Sequence, residues 1–198
     1  IGTQITDENG YYIFDNLKPG IYRLTFTLPD GYYFSIDNVG TNDADDSDVV
    51  GNTIEDIMLM SGEDNNTYDA GMYRLASIGD FVWEDVNGNG IQDIGEPEIE
   101  GIALSLNGTS GDGNVVTSSA ITDENGYYLF DNLVPGTYNI NMALPGGFMF
   151  SPSNQGSDNN VDSDAINGLI ENINLISGID DLSNDVGLVS GVTIGDFV

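Results

Sequence analysis

Residues 122–133 read T-D-E-N-G-Y-Y-L-F-D-N-L, and residues 6–17 read T-D-E-N-G-Y-Y-I-F-D-N-L. The offset from Thr6 to Thr122 is 116 residues, and it holds without a gap to the end of the chain. Pro19-Gly20 matches Pro135-Gly136, residues 28–35 match 144–151, and Ile57 and Leu59 match Ile173 and Leu175. Ile78-Gly79-Asp80-Phe81-Val82 returns as Ile194-Gly195-Asp196-Phe197-Val198. Self-similarity at a fixed period is the sequence mark of repeated structural units. A period of this length is too long for a solenoid turn and has the size of a bead-on-a-string domain. The expected division is the latter part of one repeat over 1–76, a complete repeat over 77–192, and the opening strand of another repeat, or a donor strand, over 193–198.

Around this stretch the pattern alternates with period two. Tyr138, Ile140, Met142 and Leu144 share one face, with Asn139, Asn141 and Ala143 on the other. Tyr22, Leu24, Phe26 and Leu28 repeat the pattern. Ile102, Leu104 and Leu106 mark another strand, Ile173 and Leu175 a further one, and residues 78–84 one more. Gly, Asn, Asp and Pro punctuate these segments as turn formers, and nothing carries helical periodicity. Many short strands between turns specify an all-β fold, a tandem array of β-sandwich repeats. The Asp123–Gly126 and Val134–Gly136 turns are expected to reverse consecutive antiparallel strands. That would bring Asp123 near the acidic loop, residues 158–164, that follows Leu144.

The chain has 33 acidic residues against 3 basic ones, Lys18, Arg23 and Arg74, for a net charge of −30. Such a charge opposes compaction, and hard divalent cations that prefer oxygen ligands are the natural neutralisers. A disordered acidic chain is the competing reading, and the apolar and aromatic content of 39% and 10% argues against it. The acidic surface repels phosphates, so a nucleic-acid partner is excluded. No apolar run is long enough to insert this segment in a membrane. The chain lacks His and Cys, so a serine nucleophile would have no imidazole base, and no nucleophile-elbow or phosphate-cradling motif is present. An enzyme is not expected.

Residues 85–96, D-V-N-G-N-G-I-Q-D-I-G-E, fit the calcium-loop pattern D-x-[DN]-x-[DN]-G-x5-E at every specified position. Asp85, Asn87 and Asn89 would offer side-chain oxygens, Ile91 its carbonyl, Asp93 a direct or water-bridged ligand, and Glu96 both oxygens. Gly90 would make the sharp turn. The flanks are strand-like, with Pro97 after the last ligand, so the loop is expected between strands rather than helices. An Asn-Gly-rich surface turn is the competing reading. Ca2+ suits this ligand set better than Mg2+, which demands tight octahedral geometry. A second cage is expected from Asp158, Asp162 and Asp164, with Asn159, joined by Asp123 and Asn125; a solvated acidic loop is its alternative. Asp46-Ser47-Asp48 repeats Asp162-Ser163-Asp164 in the first copy.

The motifs at 78–93, 95–102, 122–138 and V-D-S-D at 161–164 together resemble the B-domains of serine-aspartate repeat surface proteins. These belong to the collagen-adhesin B-type of Greek-key, transthyretin-like sandwiches. The resemblance covers essentially the whole chain. It implies an extracellular location, secreted or on a bacterial cell surface, and calcium-rigidified stalk repeats with a hand-like loop on Asp85, Asn87, Asn89, Ile91, Asp93 and Glu96. Related sandwiches carry a Lys–Asn isopeptide crosslink, but residues 77–192 contain no Lys, which excludes that bond in the complete repeat.

The expected function is therefore structural: a calcium-stiffened stalk or extracellular filament, with adjacent repeats or copies of itself as head-to-tail partners. The tail at 193–198 could add to another subunit's open edge by strand complementation. The alternative is an adhesion module that binds a host or matrix glycan or protein, with Trp83, Tyr127, Tyr128, Phe130 and Phe148 as a platform. Core packing is the competing role for at least half of these aromatics.

Overall fold

A computed structural model of the chain describes residues 2–192 and Ile194. The strand expected at 193–198 lies outside the described residues, apart from Ile194. Two compact units are present. One contains the chain up to Pro29 together with Phe34–Met72; the other contains Asp30–Tyr33 and the chain from Tyr73 onward. All regular structure among the described residues is β.

The second unit holds the longer strands. They are β5 (Ala76–Glu84), β6 (Ala103–Ser110), β7 (Val115–Ile121), β8 (Tyr127–Leu133), β9 (Gly136–Met142), β10 (Phe148–Phe150), β11 (Leu169–Leu175), β12 (Asp180–Asp181) and β13 (Val186–Ser190). One sheet runs β11-β9-β6-β7 with antiparallel neighbours. In the other, β5 pairs antiparallel with β8, and parallel with both β12 and β13; β10 lies beyond β13. The first and last long strands therefore lie side by side, with Val82 opposite Val186.

Period-two alternation explains why the two sheets face each other. Leu104 and Leu106 of β6, Tyr138, Ile140 and Met142 of β9, and Ile173 and Leu175 of β11 are buried. They meet Ile78 and Val82 of β5, Tyr128 and Phe130 of β8, and Val186 and Leu188 of β13 in one continuous core. Each large apolar side chain removed from water in this way contributes about 1.5–3 kcal/mol. The intervening residues, such as Ser105, Asn107, Leu129 and Asp131, are not buried. The β-sandwich read from the sequence is thus the fold.

Two local expectations need correction. Leu144 lies past the end of β9 and is 46% exposed, so the buried face ends at Met142. The Asp123 and Val134-Pro135 turns do not close hairpins. β7 and β9 belong to one sheet and β8 to the other, so both turns carry the chain across the sandwich. A turn signal records a change of direction and does not say which sheet the next strand joins.

The first unit repeats the same contacts at the same offset. Its strands β1 (Gly20–Thr25) and β3 (Thr53–Leu59) pair antiparallel, as β9 and β11 do. The short β2 (Tyr32–Phe34) and β4 (Met72–Arg74), most of whose residues belong to the second unit, form a separate two-stranded sheet. The Tyr12 hydroxyl donates to the Tyr68 carbonyl at 2.7 Å, as Tyr128 donates to Asn184 at 2.5 Å. Tyr22 donates to the Lys18 carbonyl as Tyr138 donates to Val134. Val49, Ile54 and Ile57 form this unit's own small core.

Candidate metal centre

The loop at 85–96 begins where β5 ends. Its root is tied down: the Asp85 amide donates to the Leu188 carbonyl of β13, and the Glu84 amide donates to the Pro97 carbonyl. Trp83, two residues before Asp85, is fully buried. A β-carbon on Gly187 would come within 2.9 Å of the Trp83 ring, so the indole packs closely against β13 at a glycine. Trp83 therefore holds the base of the loop rather than offering a binding platform.

Inside the loop, the Asp85 carboxylate is fully buried and gathers three backbone amides: Gly88 and Asn89 on Oδ1, Gly90 on Oδ2. Asn87 Oδ1 accepts from the Asn89 amide, and Asn89 Oδ1 from the Ile91 amide. Both asparagine amide groups donate to Asp93 Oδ2, at 2.8 and 2.9 Å. Glu96 reaches back with both oxygens, to the Val86 amide at 2.8 Å and the Asp93 amide at 3.0 Å. Asp85, Asn87, Asn89, Asp93 and Glu96 are thus drawn around one small ring. Gly88 and Gly90, with φ of 72° and 78°, supply the left-handed backbone that closes it. The donor set is all oxygen, with three carboxylates and two amides, which is the chemistry a Ca2+ site requires.

The acidic loop docks on the middle of this ring. Ile91 bridges to Asp162, the Gln92 amide donates to the Val161 carbonyl at 2.7 Å, and the Ser163 amide donates to the Gly90 carbonyl at 3.0 Å. Asp162 is 5% exposed, and its Oδ1 is buried without a hydrogen-bond donor. Burial, and then the neighbouring Asp158 charge, push the Asp162 carboxyl up. An orphaned carboxylate oxygen beside the Ile91 segment is a place where a cation fits.

The remaining expected ligands fall elsewhere. Asp158 Oδ1 accepts from the amide and side chain of Asn160 in its own turn. Asp123 Oδ1 accepts from the Asn125 and Tyr127 amides, which hold its carboxyl below the usual range. Among the described residues, no hydrogen bond ties Asp123 or Asn125 to residues 158–164. Asp164 Oδ2 accepts from the Asp185 amide at 2.8 Å, just before β13.

Three further carboxyls are raised, and of these Asp164 alone was among the expected ligands. Asp185 is 1% exposed, and burial pushes its carboxyl up to about 9, helped by the Asp80 and Asp164 charges. Asp80 and Asp164 are each raised to about 6, first by burial; the Asp181 charge adds to both, and the Asp162 charge adds to Asp164. In the first unit, Asp43, Asp46 and Asp48 bring carboxylate oxygens within 4.8 Å of one another and could hold a metal ion. Asp46 Oδ1 is buried and lacks a partner. The triad was visible in the sequence only as the echo of Asp162-Ser163-Asp164.

Comparison with known proteins adds the following. The family model for the SdrD B-like domain matches residues 1–72 and 76–188. Serine-aspartate repeat-containing protein F of Staphylococcus epidermidis is 40% identical over 164 residues, covering 80% of this chain and 9% of that protein. A fibrinogen-binding protein of Staphylococcus epidermidis is 38% identical over 186 residues, covering 92% of this chain and 16% of that protein. Serine-aspartate repeat-containing protein C of Staphylococcus aureus strain Newman is 39% identical over 168 residues, covering 84% and 17%. The chain thus spans between 9% and 17% of the length of these relatives. Among solved structures, GBS52, the minor pilin of Streptococcus agalactiae, aligns over 98% of this chain and 69% of its own at 10% identity and a TM-score of 0.40, a likeness that carries no argument.

Proposed function

Because the chain belongs to the SdrD B-like domain family, we propose that it is a spacer segment whose β-sandwich repeats are stiffened by bound calcium. It is a non-enzymatic segment of an extracellular, cell-surface protein. The spacer reading rests on one observation above others. The loop at 85–96 closes through the oxygens that its pattern assigns to a cation, and its backbone is hydrogen-bonded both to β13 and to the acidic loop. Asp85, Asn87, Asn89, Ile91, Asp93 and Glu96 would hold the ion. Asp162, with its unpartnered oxygen, would bind at the junction of the two loops. A divalent charge there draws together two loops that otherwise repel each other, so the sandwich resists pulling and proteolysis. The partners are adjoining repeats, head to tail. Pulling the full chain in a force spectrometer tests this: the unfolding force of the second unit should fall severalfold in chelator, and an unchanged force would refute calcium stiffening.

Strand donation is the assembly variant, in which a strand reading Ile-Gly-Asp-Phe-Val pairs with the repeat of a neighbouring copy. Light scattering of the full chain in calcium checks it: growth with concentration supports donation, and a monomer at all concentrations rejects it.

A second reading, an adhesion module, is favoured by one feature. Exposed Ile121, Tyr127 and Leu129 line an open groove of about 420 Å3 together with Asp123. The deeper aromatics expected for a platform, Trp83, Tyr128 and Phe130, are buried. One relative is a fibrinogen-binding protein, so fibrinogen and a glycan array are the probes; binding abolished by Tyr127→Ala would establish this reading, and its absence leaves the spacer.

A further inference from the structure

Asparagine followed by glycine occurs at Asn9, Asn87, Asn89, Asn107, Asn125 and Asn167. The pair is chemically labile, because the glycine nitrogen can attack the asparagine Cγ with no side chain in the way. The attack requires that nitrogen to be free of a hydrogen bond. Gly10 and Gly126 donate to the Asp7 and Asp123 carbonyls, each at 3.0 Å. Gly88 and Gly90 donate to the two carboxylate oxygens of Asp85. Gly108 lies inside β6, paired with β7 on one side and β9 on the other. Gly168 differs: among the described residues, its amide has no hydrogen-bond acceptor. Asn167, before it, is exposed. Gly168 is a buried residue, and an amide left there without an acceptor is unfavourable; closing a ring through that nitrogen removes the N–H.

The two residues are the centre of a tight turn in which Ile166 and Leu169 exchange backbone hydrogen bonds at 3.0 and 3.2 Å. Both are left-handed, with φ of 53° and 83°, the combination that an Asn-Gly hairpin turn demands. The first unit makes the corresponding turn in the opposite order. Val50 and Thr53 exchange the same bonds, at 3.0 and 3.2 Å, around Gly51-Asn52, and there Gly51 supplies the left-handed φ of 70°. The residue after that asparagine is Thr53, whose amide is already bonded to Val50. We propose that Asn167-Gly168 is a self-modification site, which the first unit lacks, where the folded repeat deamidates and so loosens the entry to β11. The Gly168 nitrogen bonds to Asn167 Cγ and the Cγ–Nδ2 bond breaks. Ammonia leaves with the proton of the Gly168 amide, and a succinimide ring remains. Water then opens the ring without any redox change. Cleavage at Cγ leaves aspartate; cleavage at the main-chain carbonyl carbon leaves isoaspartate, with the backbone routed through the side chain. The isoaspartyl backbone is longer, and the turn is closely packed. A β-carbon on Gly168 would lie 2.4 Å from the Met142 carbonyl oxygen and 2.6 Å from Phe150 Cζ. The Gly168 carbonyl also accepts from the Met142 amide at 2.8 Å. A lengthened turn must give up the Ile166–Leu169 bonds or the Met142 bond, which together fix the start of β11 beside the end of β9.

The test ages the full chain in calcium at mildly alkaline pH, folded and in urea. Each Asn-Gly pair is followed by peptide mapping, with fragmentation that separates aspartate from isoaspartate. In the folded chain Asn167 should convert severalfold faster than any other pair, and in urea, where every glycine amide is free, the rates should converge. Asn167→Gly keeps a residue that accepts the left-handed turn but has no side-chain amide, so it should not convert at this position. Aged native protein should unfold at lower urea than fresh protein, read at Trp83, whereas aged and fresh Asn167→Gly should coincide. Conversion at Asn167 no faster than at Asn9 or Asn125 in the folded chain would overturn the site. Conversion at Asn167 with an unchanged urea midpoint would overturn the loosening.

Discussion

Gly88 and Gly90 stand two residues apart in the metal loop and have nearly the same backbone, with φ of 72° and 78°. Alanine at either position meets the left-handed penalty of roughly 1–2 kcal/mol, partly offset by a stiffer unfolded chain. Beyond that they differ. A β-carbon at Gly88 would have only Val189 nearby, at 4.0 Å. At Gly90 it would lie 2.2 Å from the Pro152 carbonyl oxygen and 2.7 Å from Gln155 Cγ. The Pro152 segment would have to move by about 1 Å to restore ordinary contact. That shift loads the Ser163-to-Gly90 and Asn154-to-Ser163 hydrogen bonds, which dock the acidic loop on the ring. Each bond contributes about 1 kcal/mol. Gly88→Ala should therefore cost about 1 kcal/mol and Gly90→Ala about 3 kcal/mol or more. Trp83 is the single tryptophan and is buried in this unit, so its fluorescence in urea reads the second unit alone. Calcium affinity should fall further in Gly90→Ala, since the docking loop carries Asp162. Equal midpoints for the two variants would refute the claim that the two loops are packed as one site.

Two further outcomes follow from the same contacts. Tyr138→Phe leaves the Val134 carbonyl without the 2.6 Å hydroxyl bond and should destabilise the second unit by about 1–2 kcal/mol, read from the Trp83 urea midpoint; no change would mean that water replaces the bond freely. In metal-free buffer, the raised carboxyls of Asp185, Asp80 and Asp164 make the folded state hold protons that the unfolded chain releases. Stability is thus present below the ordinary carboxylate value of 3.8 and is lost as pH rises through about 6 and then about 9. The midpoint should be higher at pH 5 than at pH 8 without calcium, and saturating calcium should flatten the difference; a midpoint that rises with pH in the metal-free protein would contradict the cluster.

The repeat and the loop at 85–96 were legible because both are local. Asp85 to Glu96 is a spacing within one loop of chain, and one of the two left-handed glycines that close it, Gly90, is named by the pattern itself. The alternation in β6, β9 and β11 was equally plain, since one face is buried and the other wet. What the sequence did not disclose is non-local. The β5–β13 pairing joins the two ends of the repeat, so nothing near Asp80 announces Asp185. β7, V-V-T-S-S-A-I, is an edge strand with largely solvated residues and gives no buried stripe to read. Asp164 looked like a partner of Asp162 because they are two apart, and the Asp162 charge does act on it, but its hydrogen bonds go to a residue far along the chain. Asp162 meets the loop at Ile91 and Asp164 meets Asp185.

The central claim is that calcium, rather than hydrogen bonding alone, holds the acidic loops of the second unit together. The most direct measurement is thermal unfolding of the full chain followed at Trp83, with calcium and then with excess EDTA, beside a calorimetric titration of calcium into metal-free protein. The account predicts binding heat and a rise in the melting temperature of about ten degrees or more with calcium, the size expected when ligand far exceeds its dissociation constant. No binding heat and the same melting temperature in EDTA would reduce the loop at 85–96 to a hydrogen-bonded turn and contradict the claim.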